Sequence, residues 1–301
     1  EKASNVKPDA VSPALNLGMH YLRINQPQKA LTLARKLQPA NPTNAALLEL
    51  LGQAQMATKD TAGALDTYSK LAAVMPKSPL AQMRLAGVYK AMNNDASATS
   101  HLRRAVEMQP NFIPARLAQI EAAVRGGRAE EALQITREVQ KLDPKAAVGY
   151  MLEGDVLMAQ QKPALAAQSY EKAQSLGASP ELFAKTLQAL GMAGKTKEVK
   201  ARGTQWLDQH PGDVRVALMV AETNLASKEY KPAISVLERA PKTAPNSPLV
   251  LNNLAWAYQQ EKDPRALATA EQAFKLAGDN PGVMDTLGWL LVEKGDTARA
   301  L

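Results

Sequence analysis

Residues 45–78 read AALLELLGQAQMATKDTAGALDTYSKLAAVMPKS, and residues 79–112 read PLAQMRLAGVYKAMNNDASATSHLRRAVEMQPNF. Laid over one another, the two strings share a small residue at position eight (Gly52, Ala86), another at position twenty (Ala64, Ala98) and a proline at position thirty-two (Pro76, Pro110). Within the first string Leu47, Leu48, Leu51, Gly52 and Gln55 recur at helical spacing, Lys59-Asp60 interrupt it, and Ala64, Leu65, Tyr68 and Leu71 resume it. The reading is two helices of about a dozen residues joined by a tight turn, a unit too short to bury a core alone. Small side chains at positions eight and twenty let two helix axes approach closely. Proline at position thirty-two cannot continue a helix, so the next first helix begins beyond it.

The same pattern extends along the chain. Position eight recurs as Gly18, Gly52, Ala86, Gly154, Ala221, Ala255 and Gly288, with the less typical Ile120 and Leu187 filling the two gaps. Position twenty gives Ala30, Ala64, Ala98, Ala132, Ala166, Ala233 and Ala300, and the prolines run Pro42, Pro76, Pro110, Pro144, Pro211 and Pro245. After a lead-in at 1–10, units are expected to begin near 11, 45, 79, 113, 147, 180, 214 and 248, with a partial ninth over 281–301. The expectation is a single all-α solenoid over 1–301 rather than separate globular domains. The sixth unit departs most: Leu187 and Val199 stand where small residues are expected, and Gly177-Ala178-Ser179-Pro180 precede it instead of the proline of the series. A local change of helix spacing and curvature is predicted there.

These residues resemble the tetratricopeptide-repeat (TPR) family across almost the whole chain. Leu51-Gly52, Ala64, Tyr68 and Pro76, then Leu85-Ala86, Tyr89, Ala98, Ala105 and Pro110, follow that family's pattern in register. The resemblance implies a right-handed α-solenoid of about eight and a half TPR helix pairs. Near the end, Leu251-Asn252-Asn253-Leu254-Ala255-Trp256, Asp263-Pro264-Arg265-Ala266-Leu267 and Asn280-Pro281 through Asp285-Thr286-Leu287-Gly288-Trp289 are similar to the TPR lipoproteins of the exosortase/PEP-CTERM exopolysaccharide system. That narrower resemblance implies a periplasmic solenoid tethered to the bacterial envelope, with a role in exopolysaccharide assembly or export or in surface-protein sorting.

Composition excludes several other classes. The chain has 301 residues, 46% hydrophobic, 4% aromatic, 22% charged and no cysteine. Zinc fingers, iron–sulfur ligation, CxxC redox chemistry and thiol nucleophiles are therefore ruled out, while the redox compartment stays open. The net charge of +7 is mild, and it lies wholly in residues 1–150, which carry 19 basic and 12 acidic side chains. Arg103, Arg104, Arg125 and Arg128 interleave with Glu107, Glu121, Glu130 and Glu131 at helical spacing, which reads as a solvated face of ion pairs and not as a nucleic-acid track. No run approaches the ~20 apolar residues of a membrane span. The start at Glu1 without Met and the stop at Ala298-Arg299-Ala300-Leu301, mid-helix by its pattern, lead us to expect an excised fragment whose tether lies elsewhere.

No catalytic constellation stands out. His20, His101 and His210 fall in units one, three and six and read as surface or packing residues. Gly191-Met192-Ala193-Gly194-Lys195-Thr196 has its first glycine too close for a phosphate-binding loop and no preceding strand, so it reads as a turn, as does Gly126-Gly127-Arg128. An enzyme, a metal and a cofactor are not expected.

Ligand contacts are expected at first-helix positions two, five, nine and twelve, on a side away from position eight. This concave face comprises Met19, Glu49, Gln53, Met56, Met83, Lys90, Glu121, Met151, Asp155 and Met158, then Glu222, Asn252, Trp256, Gln259, Asp285 and Trp289. The methionines make either a soft groove for partner protein segments or packing between first helices. Trp256 and Trp289, with Asn252, Asn253, Gln259, Gln260 and Asp285, make either a platform for polysaccharide, the second candidate partner, or inter-repeat packing. Trp206 reads as structural. Family members that grip a terminal carboxylate use Lys and Asn at positions five and nine; Leu15 and Met19, then Glu49 and Gln53, depart from that pattern.

Overall fold

The computed structural model describes residues 11–239 and 246–300, which form helices and turns with no strand among the described residues. The expected lead-in at 1–10, Pro245 and Leu301 lie outside them. The chain divides into two compact units, 1–144 and 145–301.

In the first unit, α1 (Val11–Arg23) pairs with α2 (Pro27–Leu37), α3 (Ala45–Ala57) with α4 (Thr61–Val74), α5 (Pro79–Ala91) with α6 (Asp95–Met108), and α7 (Ile113–Arg125) with α8 (Ala129–Leu142). In the second, α9 (Ala147–Ala159) pairs with α10 (Pro163–Leu176), α11 (Pro180–Met192) with α12 (Thr196–Gln209), and α13 (Val214–Ala226) with α14 (Tyr230–Arg239). Two further pairs follow, α15 (Pro248–Gln260) with α16 (Ala266–Ala277) and α17 (Pro281–Glu293) with the short α18 (Thr297–Ala300). Each unit is thus a stack of helix pairs, the all-α solenoid plan read from the repeat. Pro42, Pro76, Pro110, Pro144 and Pro211 all sit in the turns between pairs. Side chains close several helix starts: Asn44 accepts from the Leu47 N–H at 3.0 Å, Asp60 from Gly63 at 3.0 Å, and Asn94 from Ser97 at 3.0 Å.

The turn inside every pair carries one residue in the left-handed region, always at position fifteen. The series is Asn25, Lys59, Asn93, Gly127, Gln161, Gly194, Lys228, Lys262 and Gly295, with φ between 55° and 79°. The three lysine turns, Lys59, Lys228 and Lys262, therefore hold a conformation that side chains with a Cβ adopt at a cost of about 1 kcal/mol. Gly194 belongs to the GKT-like string, which forms the turn between α11 and α12 as read from sequence.

Position eight works by close approach. A Cβ on Gly52 would overlap the Tyr68 ring of α4, and one on Gly154 would overlap the Tyr170 ring of α10. At Gly18 the neighbour is instead Leu50, on the first helix of the next pair. Tyr68 and Tyr170 are buried against these glycines. The sixth pair departs as expected in its helix spacing: α11 and α12 touch each other less than the helices of any other complete pair. Leu187 and Val199 are fully buried there and take the volume that alanines leave open elsewhere. The close approach moves to Gly203 of α12, where a Cβ would strike Val220 of α13. Trp206 is stacked between Phe183 (ring centroids 4.2 Å apart) and His210 (3.8 Å), and its Nε1 donates to Asp213 at 3.0 Å, so it is structural.

Candidate functional site

The first unit contains a groove of about 1140 Å³ bounded by α3, α5, α6 and α7. Four of the expected surface residues meet in it: Gln53 and Met56 from α3, Met83 and Lys90 from α5. Its floor is apolar and small-featured, with Ala86, Ala118 and Ala122 beside the methionines. Gly87 stands at position nine of α5, in the middle of a helix, and a Cβ there would meet nothing within 4 Å. The space over this helix is open because the chain spends its most helix-averse ordinary residue on it.

Charge on the groove is lopsided. Arg84 is neutralised by Glu49 at 2.5 Å, and the Gln53 amide donates to the same carboxylate at 2.5 Å. Burial and the Glu49 charge hold the neighbouring Tyr68 phenol far above its ordinary range. Arg128 at the rim pairs with Glu131 at 2.8 Å. Lys90, Arg103 and Arg125 are exposed, line the groove, and form no ion pair or hydrogen bond among the described residues, against the single carboxylate of Asp95. The sequence reading of a solvated ion-pair face is thus met at Arg128 and corrected at Arg103 and Arg125. Both sit on helices whose open side faces the groove, not a carboxylate one turn away. Gly87, Arg103 and Arg125 also line this groove and are not among the expected face residues, Gly87 although it stands at position nine. A glycine inside a strong helical pattern was the available signal.

The second unit has a smaller pocket of about 300 Å³, lined by Trp256, Gln259, Gln260, Asp285, Thr286 and Trp289. Trp289 is 62% exposed, and so fills no inter-repeat space among the described residues. Trp256 is half-buried and edge-on to Tyr230 at 5.6 Å, so only part of its ring is presented. The Gln259 amide donates to Glu293 at 2.8 Å, from α15 to α17.

The remaining candidates join neither site. Met19 is 48% exposed on α1 and Glu121 is exposed on α7. Met151 and Met158 are half-buried on α9, and Asn252 on α15 likewise. Asp155 is committed internally: it accepts from the Tyr170 hydroxyl at 2.7 Å and from Lys185 Nζ at 2.6 Å. Burial, with that hydrogen bond, raises the Tyr170 phenol well above its usual range. Glu238 plays the same part for Tyr258 at 2.7 Å, with Arg265 lying 4.2 Å over the ring.

The histidines serve packing and surface contacts. His20 is exposed and 3.1 Å from Arg23, and His210 stacks on Trp206. His101 stacks on Tyr89 at 5.2 Å and bonds Gln82 through Nδ1 at 2.8 Å. Burial, helped by the Arg104 charge, lowers its pKa from 6.5. Among the described residues no three His, Asp or Glu side chains form a metal-holding group, and no helix is long and apolar enough to cross a membrane.

Family models described as tetratricopeptide repeat match residues 15–81, 117–181 and 192–257, about two thirds of the chain. The chain is 26% identical over 240 residues to the cytochrome c-type biogenesis protein CycH of Pseudomonas aeruginosa, covering 77% of this chain and 53% of that one. It therefore spans about half the length of this curated relative. Among solved structures, a tetratricopeptide repeat protein from Parabacteroides merdae aligns with a TM-score of 0.51 at 15% identity, over 81% of this chain and 97% of that one. PilW, a type IV pilus biogenesis factor, aligns with a TM-score of 0.52 at 15% identity, over 69% and 98%. Stacked helix pairs, the recurring close approach at position eight and these matches lead to one conclusion: the chain belongs to the tetratricopeptide-repeat family, whose proteins bind protein partners or peptides and are generally non-catalytic scaffolds.

Proposed function

We propose that the chain is a non-enzymatic scaffold that holds segments of partner proteins in the groove of its first unit. We place it in a bacterial envelope system for exopolysaccharide assembly or export, or for PEP-CTERM surface-protein sorting, as the periplasmic part of a tethered lipoprotein. The observation that carries the binding reading is the open groove with Met56 and Met83 on its floor. Its volume is of the order of a ligand site, and methionine adapts to partners of varied shape. The envelope assignment rests on the resemblance of the 251–256 and 280–289 runs to the exosortase-associated lipoproteins. The Pseudomonas aeruginosa relative, named for cytochrome c-type biogenesis, is in keeping with an assembly role.

The test is a photo-crosslinking residue at position 87 of the full-length protein in its own cells. Crosslinks to polypeptides of exopolysaccharide export or surface sorting, lost when Met56 and Met83 are both made Asp, are the expected outcome. Crosslinks confined to cytochrome-assembly proteins overturn the envelope-polysaccharide assignment and keep the scaffold. Absence of any crosslink that depends on Met56 and Met83 overturns the scaffold reading.

A second reading is favoured by the second unit's pocket. Trp289 offers an exposed indole face beside Asp285, Thr286 and Gln259, the combination that stacks on a sugar ring and bonds its hydroxyls. It predicts a saccharide-dependent change in tryptophan fluorescence that Trp256→Ala and Trp289→Ala remove. A flat titration with exopolysaccharide fragments sinks it.

A further inference from the structure

The groove of the first unit has a chemical preference that its shape alone does not explain. Lys90 stands at the end of α5, Arg103 midway along α6 and Arg125 at the end of α7, so three cations on three successive helices border one opening. None has an anionic partner among the described residues, whereas Arg84 and Arg128 at the same opening do. Unpaired like charges around a low-dielectric concavity raise the local potential and draw in an anion. Between the cations the surface is Met83, Ala118, Ala122 and the bare backbone of Gly87.

We infer that the groove selects an acidic polypeptide segment, extended, with Asp or Glu side chains alternating with small or aliphatic ones. This deepens the scaffold reading and rests on it. Neighbouring helices pack about 8–10 Å apart, so crossing from α3 to α7 takes roughly six extended residues. Alternation in an extended chain puts every second side chain on one side, so carboxylates reach Lys90, Arg103 and Arg125 while the others rest on the methionine and alanine floor. Single-stranded nucleic acid adds base stacking on aromatic side chains to its phosphate contacts, and an acidic polysaccharide has no aliphatic side chains to rest on a methionine and alanine floor. The lining has Tyr68 as its one aromatic residue, and that ring is buried against Gly52. An acidic peptide is therefore the occupant the surface fits.

The test uses the full chain and a random octapeptide display library, selected in parallel on the wild type and on Gly87→Trp, which fills the open space without touching a charge. The peptides enriched only by the wild type are expected to be rich in Asp and Glu. The best of them, made synthetically, is expected to lose at least 10-fold in affinity with each of Lys90→Glu, Arg103→Glu and Arg125→Glu, and to weaken steeply with salt. Gly87→Trp-sensitive peptides without acidic enrichment overturn the acidic preference and leave the scaffold reading standing. No Gly87→Trp-sensitive peptide at all overturns both. Oligodeoxythymidylate or polygalacturonate binding at least as tightly, and competing with the peptide, replaces the polypeptide with another polyanion. Circular dichroism of the four variants guards against misfolding, and Lys90→Gln with Arg103→Gln gives the same ranking at smaller amplitude.

Discussion

The groove of the first unit and the tryptophan pocket of the second are made by the same slot of the same repeat. Position nine of the first helix is Gly87 in the third pair and Trp256 and Trp289 in the eighth and ninth. Glycine leaves an opening of about 1140 Å³ floored by methionine and alanine; tryptophan leaves about 300 Å³ walled by an indole. Position eight, one residue earlier, is spent on packing: Gly52 against Tyr68 in the first unit, Gly154 against Tyr170 in the second. Adjacent residues on a helix point about 100° apart, so one builds the pair and the next decides what the pair presents. The repeat conserves architecture at one position and varies chemistry at its neighbour within a single chain.

The strongest way to break that division is to exchange large residues between the two positions. Gly52→Leu drives a side chain into the Tyr68 ring and should destabilise the chain by about 3 kcal/mol, the upper part of the range for overpacking. Gly154→Leu should do the same against Tyr170. Gly87→Leu, into open space, should not destabilise at all, and urea unfolding distinguishes the three. Equal losses at Gly52 and Gly87 would end the distinction between a packing and a presenting position.

The tyrosines opposite position eight differ between units in how their hydroxyls are held. Tyr170→Phe removes the donor to Asp155, leaving that carboxylate to Lys185 alone, and is expected to lower stability by about 1–2 kcal/mol. With the Lys185 ion pair as the remaining one of these two contacts of Asp155, unfolding should also show a larger salt dependence. An unchanged unfolding midpoint would show the hydroxyl network to be neutral.

Turn residues give a smaller, opposite-signed pair. Gly127→Ala places a Cβ at φ 71° and should cost about 1 kcal/mol, whereas Lys228→Gly relieves a residue at φ 59° and should gain about 0.5 kcal/mol. If both shift stability in the same direction, backbone strain at position fifteen is not what sets it.

The smallest effect is a pH dependence confined to the first unit. His101 has its pKa lowered in the folded chain by burial and by Arg104, so the unfolded chain binds more protons below the ordinary histidine value of 6.5. Its contribution is present in full above that value and is lost as pH falls through it toward the folded pKa. His101→Gln, which keeps a hydrogen-bonding group near Gln82, should show a shallower fall of stability between pH 7.5 and pH 5. A slope identical to wild type would remove His101 from the account.

Sequence periodicity carried the helix pairs a long way. First helices open at Val11, Ala45, Pro79, Ile113, Ala147, Pro180, Val214, Pro248 and Pro281, at the spacing that the small-residue and proline series mark. Close approach demands small side chains and helix termination demands proline, so both leave a trace that can be read without coordinates. The departure of the sixth pair was legible for the same reason, in Leu187 and Val199. The left-handed residue of each turn was not, because six of the nine carry a side chain and no glycine announces them.

The groove and the pocket were half legible. Helical spacing gathered Gln53, Met56, Met83 and Lys90 on one face, and Trp256, Gln259, Asp285 and Trp289 on another. It listed Asp155 and Glu49 beside them as free ligand groups, and only the folded chain shows both carboxylates taken, by Tyr170 and Lys185 and by Arg84. Which cations stay unpaired is likewise a tertiary matter. Arg128, just before α8, finds Glu131 three residues on, a pairing that spacing alone encodes. Arg103 and Arg125 have acidic residues at similar spacings and still turn to the groove, because their company is set by helices far away in sequence. The repeat, its boundaries and its close contacts are written in local residue size and backbone chemistry. Charge pairing and open space belong to the packing of one helix pair on the next, and only the tertiary structure decides them.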